Sequence, residues 1–352
     1  MPVLVSIPQL HKALSFLSQL DFSVPYSKTE LHSFIIENLC VDVENKTQRA
    51  KNYIDLLEIL GFIELTGKFF ILRQNYQTTS DKGTIQDLLA IIDRLIKNYN
   101  ETWYTTYTRW HSGGRLVHTL FEEKHPWYRQ LLNILANHQP NDTQSESYVG
   151  LSKNQIINLS KGGEAELNNA GVEEYAKWGM YAGIVTKNQL YTSEPKLKSE
   201  LWKPSKHRKK KGKYYFERYY FIAKEEEDIS NFQTHVETFC SEFRRKFYTI
   251  GGASRAVPIP VLREYVCEEL RLHREIFDNL LIQLWRENKN YRFVRPPLRN
   301  NDFGSVAAAY QIRREIGEDN GDKKIILKDT SRRQIIPPIT INGYDYFYLT
   351  IS

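Results

Sequence analysis

The stretch that decides the fold is residues 45–72, NKTQRAKNYIDLLEILGFIELTGKFFIL. Its first half carries four apolar residues at the spacing of one face of a helix, which predicts an amphipathic helix. These residues are Ala50, Ile54, Leu57 and Leu60. Gly61 then stands where helices commonly end on a left-handed glycine. Thr66-Gly67-Lys68 separates two short apolar runs, as in a β-hairpin. The stretch therefore predicts a helix followed by a two-stranded hairpin.

Two further helices are predicted upstream. The first carries leucines at helical spacing, at Leu10, Leu14, Leu17 and Leu20. The second starts after Ser27, which forms a capping-box pattern with Glu30 three residues later. Its apolar residues are Leu31, Phe34, Ile35 and Leu39. Three helices and a hairpin over residues 8–73 resemble a winged helix-turn-helix domain.

The resemblance implies that the third helix and the hairpin turn contact duplex DNA. Side chains that contact phosphates and base edges lie on the outward face of that helix and in the turn. They are Lys46, Gln48, Arg49, Lys51, Asn52 and, in the turn, Lys68. A solvated helix face is the other interpretation, because Asp42, Glu44, Asp55 and Glu58 lie close by in the sequence.

A second unit of the same kind is predicted over residues 127–195. Its first helix carries Leu131, Leu132 and Leu135, and Ser152 caps the next. Ala182-Gly183-Ile184-Val185 parallels Leu60-Gly61-Phe62-Ile63, so a short wing with its turn at Lys187-Asn188 is expected. The predicted contacts are Lys153, Asn154 and Lys187. Residues 81–126 are predicted to be a helical connector with a helix at 84–100 and a break at Gly113-Gly114.

A third unit is predicted over residues 229–352. A phenylalanine-rich helix, a helix introduced by Pro258 and Pro260, and a helix starting at Arg274 are expected in that order. The sharp turn between the last two suggests contacts from Arg271, His273 and Arg274. Tyr291–Val294 starts a strand and Tyr344–Ile351 closes one. The long excursion between them, at 295–340, is interpreted either as a decoration of the wing or as a partly mobile loop.

The charge of the chain is concentrated in one segment. The formal net charge is +6, yet residues 196–224 hold eleven Lys and Arg against two acids, a local charge of +9. The densest run, KHRKKKGK, supplies Lys206, Arg208, Lys209, Lys210, Lys211 and Lys213 as candidate contacts. Aromatic runs follow it, which suits a basic hairpin, within residues 196–228, lying along a phosphate backbone. A solvated linker and, in a eukaryote, a nuclear-import signal are the other interpretations.

Several function classes find no support in the sequence. No run of about 18 apolar residues predicts a membrane span, and the start MPVLVSIPQL lacks the features of a secretory signal. The three cysteines are far apart, which indicates core thiols rather than a zinc or disulfide framework. No HExxH, Walker or GxSxG motif is present. The acidic stretch DNGDKK at Asp319–Lys324 reads as a turn, so a non-enzymatic protein without metal or cofactor is predicted.

The prediction is thus an α+β, mainly helical protein of three tandem winged-helix units, with residues 1–80 as the first. Its expected function is double-stranded DNA binding as a subunit of a larger DNA-processing, defence, replication or partition complex. One alternative is a protein–protein adaptor, since winged helices in adaptors of chromosome-condensing complexes bind protein. Another is the DNA-recognition part of a restriction-type nuclease, because tandem units resemble those of type IIS restriction enzymes and plasmid replication initiators. A cytoplasmic, nucleoid-associated location is expected in a prokaryote and a nuclear one in a eukaryote.

Overall fold

The computed structural model is a mainly helical α/β protein with small antiparallel sheets. It describes residues 4–41, 44–99, 106–138, 150–192, 214–221, 232–251, 257–287, 290–294, 315–319, 322–326, 339–342, 344–346 and 348–351. The chain divides into two compact units, one of residues 1–187 with 219–226 and one of residues 188–218 with 227–352. Within the described ranges, no helix is both long enough and apolar enough to cross a membrane.

The first repeat of the fold is built from three helices and three strands. They are α1 (Ile7–Leu17), β1 (Tyr26–Ser27), α2 (Lys28–Leu39), α3 (Lys46–Ile59), β2 (Ile63–Thr66) and β3 (Phe69–Leu72). The sheet order is β1-β3-β2, and all its pairs are antiparallel. Thr66 lies opposite Phe69, so Gly67 and Lys68 form the two-residue turn, with Gly67 at a φ of 63°. The predicted helix and hairpin are therefore confirmed.

Local sequence signals fix the ends and the buried face of these helices. The Ser27 side chain accepts from the backbone N–H of Glu30, whose carboxylate accepts from the Ser27 N–H at 2.8 Å. This reciprocal cap is the predicted capping box and satisfies two N–H groups that the helix itself cannot pair. The predicted apolar stripe of α3 is buried throughout, and Gly61 ends the helix with a φ of 80°.

A helical connector follows the first repeat. A short hairpin that was not predicted, β4 (Asn75–Gln77) with β5 (Lys82–Thr84), leads into α4 (Ile85–Tyr99). After it come α5 (Thr106–Arg109), a π-helical turn (Trp110–Gly114) and α6 (Arg115–Lys124). The predicted break is a kink, because Gly113 has a φ of 110° between the two helical segments.

The second repeat has the same order of elements. They are α7 (Pro126–Asn137), β6 (Leu151–Ser152), α8 (Lys153–Ser160), α9 (Asn169–Ala182), β7 (Val185–Thr192) and β8 (Tyr214–Phe221). The sheet order, β6-β8-β7, again places the last strand in the middle. The predicted cap at Ser152 is confirmed.

The predicted turn at Lys187-Asn188 is wrong. β7 continues through both residues to Thr192, and its partner is β8 rather than residues 189–192. The physical reason is the aromatic β8 sequence, YYFERYYF, which has high strand propensity and offers a longer partner than the segment within 184–192. The predicted boundary at residue 195/196 consequently separates two strands of one sheet.

The third repeat also keeps this order. It consists of α10 (Phe232–Gly251), β9 (Val257–Pro258), α11 (Ile259–Leu270), α12 (Arg274–Glu287), β10 (Tyr291–Val294) and, after the long excursion, β15 (Tyr348–Ile351). β15 lies between β10 and β9, with Tyr291 opposite Ile351 and Leu349 opposite Val257.

Two small hairpins occupy the described part of the excursion. They are β11 (Glu315–Asp319) with β12 (Asp322–Ile326), and β13 (Ile339–Ile341) with β14 (Tyr344–Tyr346). Asp319 lies opposite Asp322, and residues 322–324 of the predicted turn belong to β12. The three repeats together show one topology: helix, short strand, helix, helix and two strands, with the last strand in the centre of each sheet.

Candidate nucleic-acid interface

The first repeat presents a polar surface on α3 that we call the α3 face, made of Gln48, Lys51 and Asn52, with Lys46 at the start of the helix. Lys46, Gln48 and Lys51 are exposed, and Asn52 is half-buried. The Gln48 Nε2 donates to the Asn52 Oδ1 at 3.0 Å, so the two amides are held side by side one turn apart. Such amides can pair with base edges, and the lysines suit phosphates.

The hairpin turn adds one more cation beside this repeat's sheet. Lys68 is exposed at the tip between β2 and β3. At the base of the hairpin, the Arg73 guanidinium is paired with the Glu64 carboxylate and is largely neutralised. The far end of α3 is acidic, because Glu58 is exposed and Asp55 is half-buried. The cationic surface is therefore confined to the first half of α3 and the hairpin tip.

Arg49, a predicted contact, is less accessible than the lysines of α3. Its Nη1 donates to the backbone carbonyl of Leu4 at 3.1 Å, and the side chain is half-buried. Burial raises the pKa of the Glu174 carboxyl on α9, and the positive charges of Lys177 and Arg49 oppose that rise. Arg49 thus anchors the N-terminal segment of the chain and faces the second repeat rather than solvent.

The predicted contacts of the second repeat are mostly neutralised or partly covered. The Lys153 ammonium forms an ion pair with the Glu173 carboxylate across α8 and α9. Asn154 is exposed, whereas Lys187 is half-buried within β7. Glu164 and Glu166 are exposed between the two helices, and Glu164 is paired with Arg129 at 2.6 Å. This surface has no excess of cations to attract a phosphate backbone.

The third repeat buries two of its three predicted contacts, His273 and Arg274, and half-buries the third, Arg271. Arg274 is 2% exposed, and its Nε and Nη2 donate to the two carboxylate oxygens of Glu264, both at 2.6 Å. His273 is also buried. Arg271 is half-buried in the turn with a φ of 55°, and burial lowers the pKa of its guanidinium. Sequence reasoning missed this burial because the acid that pairs with Arg274 comes from the preceding helix.

The basic run stays a prediction. Lys206, Arg208, Lys209, Lys210, Lys211 and Lys213 lie outside the described residues, between β7 and β8 in the chain.

Three features that sequence reasoning did not single out are present. Arg263 and Asp278 form a buried ion pair between α11 and α12. His125 is fully buried among aromatic rings. The first hairpin exposes apolar side chains, with Phe69 48% and Leu65 38% exposed. The exposure of hairpin residues could have been predicted from the sequence. Successive side chains of a strand point to opposite faces, so an unbroken apolar run such as Phe69–Leu72 cannot be buried on one face alone.

Within the described residues, no three His, Cys, Asp or Glu side chains are grouped so as to hold a metal ion. The chain matches no known protein family, no curated protein and no solved structure.

Proposed function

We propose that this protein binds double-stranded DNA without catalysing a reaction on it, through tandem winged helix-turn-helix repeats, as a subunit of a larger DNA-processing complex. One observation carries the proposal: a helix, a short strand, two helices and two further strands recur three times, and the last strand is central in each sheet. This is the element order of a winged helix-turn-helix, in which the third helix enters the major groove and the hairpin lies on the backbone.

The α3 face supplies the chemistry that duplex binding needs. Lys46 is exposed at the first position of α3 and Lys51 is exposed farther along the helix, and Lys68 adds a positive charge at the hairpin tip. Gln48 and Asn52 are paired amides on the same surface, with donors and acceptors that match the adenine edge. The +9 charge of residues 196–224 adds a sequence-independent attraction to phosphates.

A second candidate function is protein binding by the first hairpin. Phe69 is 48% exposed and Leu65 is 38% exposed on neighbouring strands of that hairpin, and Val41 is 59% exposed just before α3. Leu65 pairs with Phe70 and Phe69 with Thr66, so Leu65 and Phe69 lie on opposite faces of the hairpin. Exposed large apolar side chains favour a protein partner over a phosphate backbone. The two functions are compatible if the hairpin holds a partner subunit while α3 contacts DNA.

The proposal is tested by fluorescence anisotropy with a random duplex at two salt concentrations. The wild-type protein should bind, and its log affinity should fall linearly with log salt. Lys46→Ala with Lys51→Ala should weaken binding and reduce the salt slope by about 0.9 for each phosphate that the variant no longer neutralises. The matched control is Lys161→Ala with Lys177→Ala, which removes the same charge from exposed positions of the second repeat. No binding by the wild-type protein would refute the DNA-binding proposal and leave the protein-binding candidate.

A further inference from the structure

We infer that only one of the three repeats reads duplex DNA, with α3 as the single reading helix, and that the other two third helices are internal supports. This inference rests on the proposed function. It follows from comparing α3, α9 and α12, which occupy the same position in the three repeats. A helix can enter a major groove only if its outward face is free of protein and carries groups that suit DNA.

The third helix of the second repeat fails the first condition. Most of α9 is buried, including Tyr175, Trp178 and Met180. Trp178 packs against Phe121 with ring centroids 4.6 Å apart, and its Nε1 donates to the Val5 carbonyl at 2.9 Å. The helix is therefore contacted both by α6 and by the N-terminal segment, which confines its exposed surface to one stripe.

The end of α9 is covered as closely as its middle. Tyr181 stacks on Tyr99 of α4 at a centroid distance of 3.9 Å. At the C-terminal end of α9, the Ala182 backbone packs directly on the Gly114 backbone. A Cβ added to Gly114 would lie only 2.1 Å from the Ala182 carbonyl oxygen, so no larger residue fits there without a shift. Asn169, Glu173 and Lys177 are exposed on the remaining surface, where Glu173 is paired with Lys153.

The third helix of the third repeat fails the second condition. Its first residue, Arg274, is buried against Glu264, so the end of the helix nearest the turn offers no exposed guanidinium. On its outward side Asn279 and Arg286 are exposed, while Ile276 and Ile282 are half-buried. Glu275 and Glu287 flank this surface, so Arg286 alone gives no net positive charge.

α3 meets both conditions. Its outward face carries the exposed Lys51 and an ordered amide pair, Lys46 is exposed at the start of the helix, and Arg49 contacts the N-terminal segment. The structure thus uses Arg49 to hold α3 in place while Lys46, Gln48 and Lys51 remain open to solvent. A single reading helix spans one major-groove segment, so the protein should recognise one short site rather than three.

Three charge reversals test this inference in the full-length protein. They are Lys51→Glu in α3, Lys177→Glu in α9 and Arg286→Glu in α12, all at exposed positions. Each changes the net charge by the same amount, so any general effect of protein charge is matched. Lys51→Glu should weaken duplex binding about tenfold or more. The other two should change the affinity less than about twofold, since on this inference neither α9 nor α12 contacts the duplex.

The outcomes separate the inference from the function on which it rests. If the wild-type protein does not bind duplex DNA, the proposed function itself is wrong. If the wild-type protein binds and the three reversals weaken binding equally, or Lys51→Glu leaves it unchanged, then α3 is not the single reading helix. Circular dichroism of each variant should match the wild-type spectrum, and Lys51→Gln should weaken binding in the same direction, which excludes unfolding as the cause.

Discussion

Arg263 of α11 and Asp278 of α12 form a fully buried two-point ion pair, with the Arg263 Nε 2.8 Å and Nη2 3.1 Å from the two Asp278 carboxylate oxygens. Beside it, Glu264 of α11 accepts both hydrogen bonds of Arg274 of α12. Each helix thus contributes one cation and one anion to the other. Because each pair is satisfied only in one arrangement of the helices, the two pairs fix how α11 and α12 cross.

Breaking one of these pairs should strongly destabilise the second compact unit. Arg274→Ala removes the two hydrogen bonds that the buried Glu264 carboxylate accepts from this guanidinium, which should cost about 3–5 kcal/mol of the free energy of unfolding. Urea denaturation followed by circular dichroism measures the loss. The control Arg286→Ala, at an exposed position of the same helix, should change the unfolding free energy by less than about 0.5 kcal/mol.

Removing both members of that pair should be milder than removing one. Arg274→Met with Glu264→Leu replaces the ions by apolar groups and should recover most of the stability lost in Arg274→Ala. Stability of the double variant equal to that of Arg274→Ala would mean that the cost lies in packing rather than in the uncompensated charge.

Substitutions of Arg49 and Lys51 should have different effects, one on stability and the other on DNA binding. Arg49→Ala removes the hydrogen bond to the Leu4 carbonyl and should lower the unfolding free energy by about 1–2 kcal/mol, with little effect on sequence preference. Lys51→Ala should do the reverse, weakening duplex binding while leaving the urea midpoint unchanged. If Arg49→Ala instead loses binding to a preferred site while its stability is unaltered, then Arg49 contacts DNA.

The first compact unit should lose stability in acid because of His125. This side chain is buried against Trp178 and Tyr175, and its Nδ1 accepts from the Tyr128 backbone N–H at 3.2 Å as the cap of α7. Its Nε2 has no hydrogen-bond partner in the described structure. Burial lowers the pKa of His125 to about 4, whereas its ordinary value is 6.5.

The direction in which stability changes with pH follows from these two pKa values. Between about pH 6.5 and pH 4 the unfolded chain binds the proton and the folded protein does not. The free energy of unfolding should therefore be level above pH 6.5 and should fall by up to about 3 kcal/mol as the pH is lowered to 4. His125→Asn keeps a capping side chain without a titrating ring, so its urea midpoint should depend less on pH. Identical pH profiles for the two proteins would remove His125 as the cause.

The basic run should contribute to affinity and not to specificity. Replacing Lys209, Lys210 and Lys211 by Ala should weaken binding to preferred and random duplexes by the same factor. The salt slope should decrease by about 0.9 for each phosphate that these lysines neutralise in the wild-type complex. An unchanged affinity and slope would show that the run is a solvated linker.

Nuclease and ATPase activities should both be undetectable. Purified protein with Mg²⁺ or Mn²⁺ should leave supercoiled plasmid intact and release no phosphate from ATP, since the sequence holds no phosphate-binding loop motif. The critical variants are Asp319→Ala and Asp322→Ala at the β11–β12 hairpin. Plasmid cleavage that either variant abolished, with DNA binding retained, would show that the protein is an enzyme.

The amino-acid sequence by itself determined the local elements. The caps at Ser27 and Ser152, the α3 stripe, the Gly61 helix end and the hairpin turn at Gly67 depend on residues at most a few positions apart, so a linear pattern contains all the information they need. The predicted mainly helical α/β class is confirmed for the same reason, since helical and strand periodicities are local.

Only the tertiary structure decided which polar residues remain available for a ligand. The sequence around Arg274 suggests a surface contact, but in the structure this residue pairs with Glu264 of another helix. Arg49 likewise donates to the backbone carbonyl of Leu4, which is distant in the sequence. The full length of β7 could not be predicted without knowing that it pairs with β8. The basic run lies between these two strands in the chain. α9 and α3 have similar lengths and positions in their repeats, yet α9 is covered by elements that are distant in sequence. Burial depends on which chain segments pack together, so a helical pattern alone cannot distinguish a reading helix from a support.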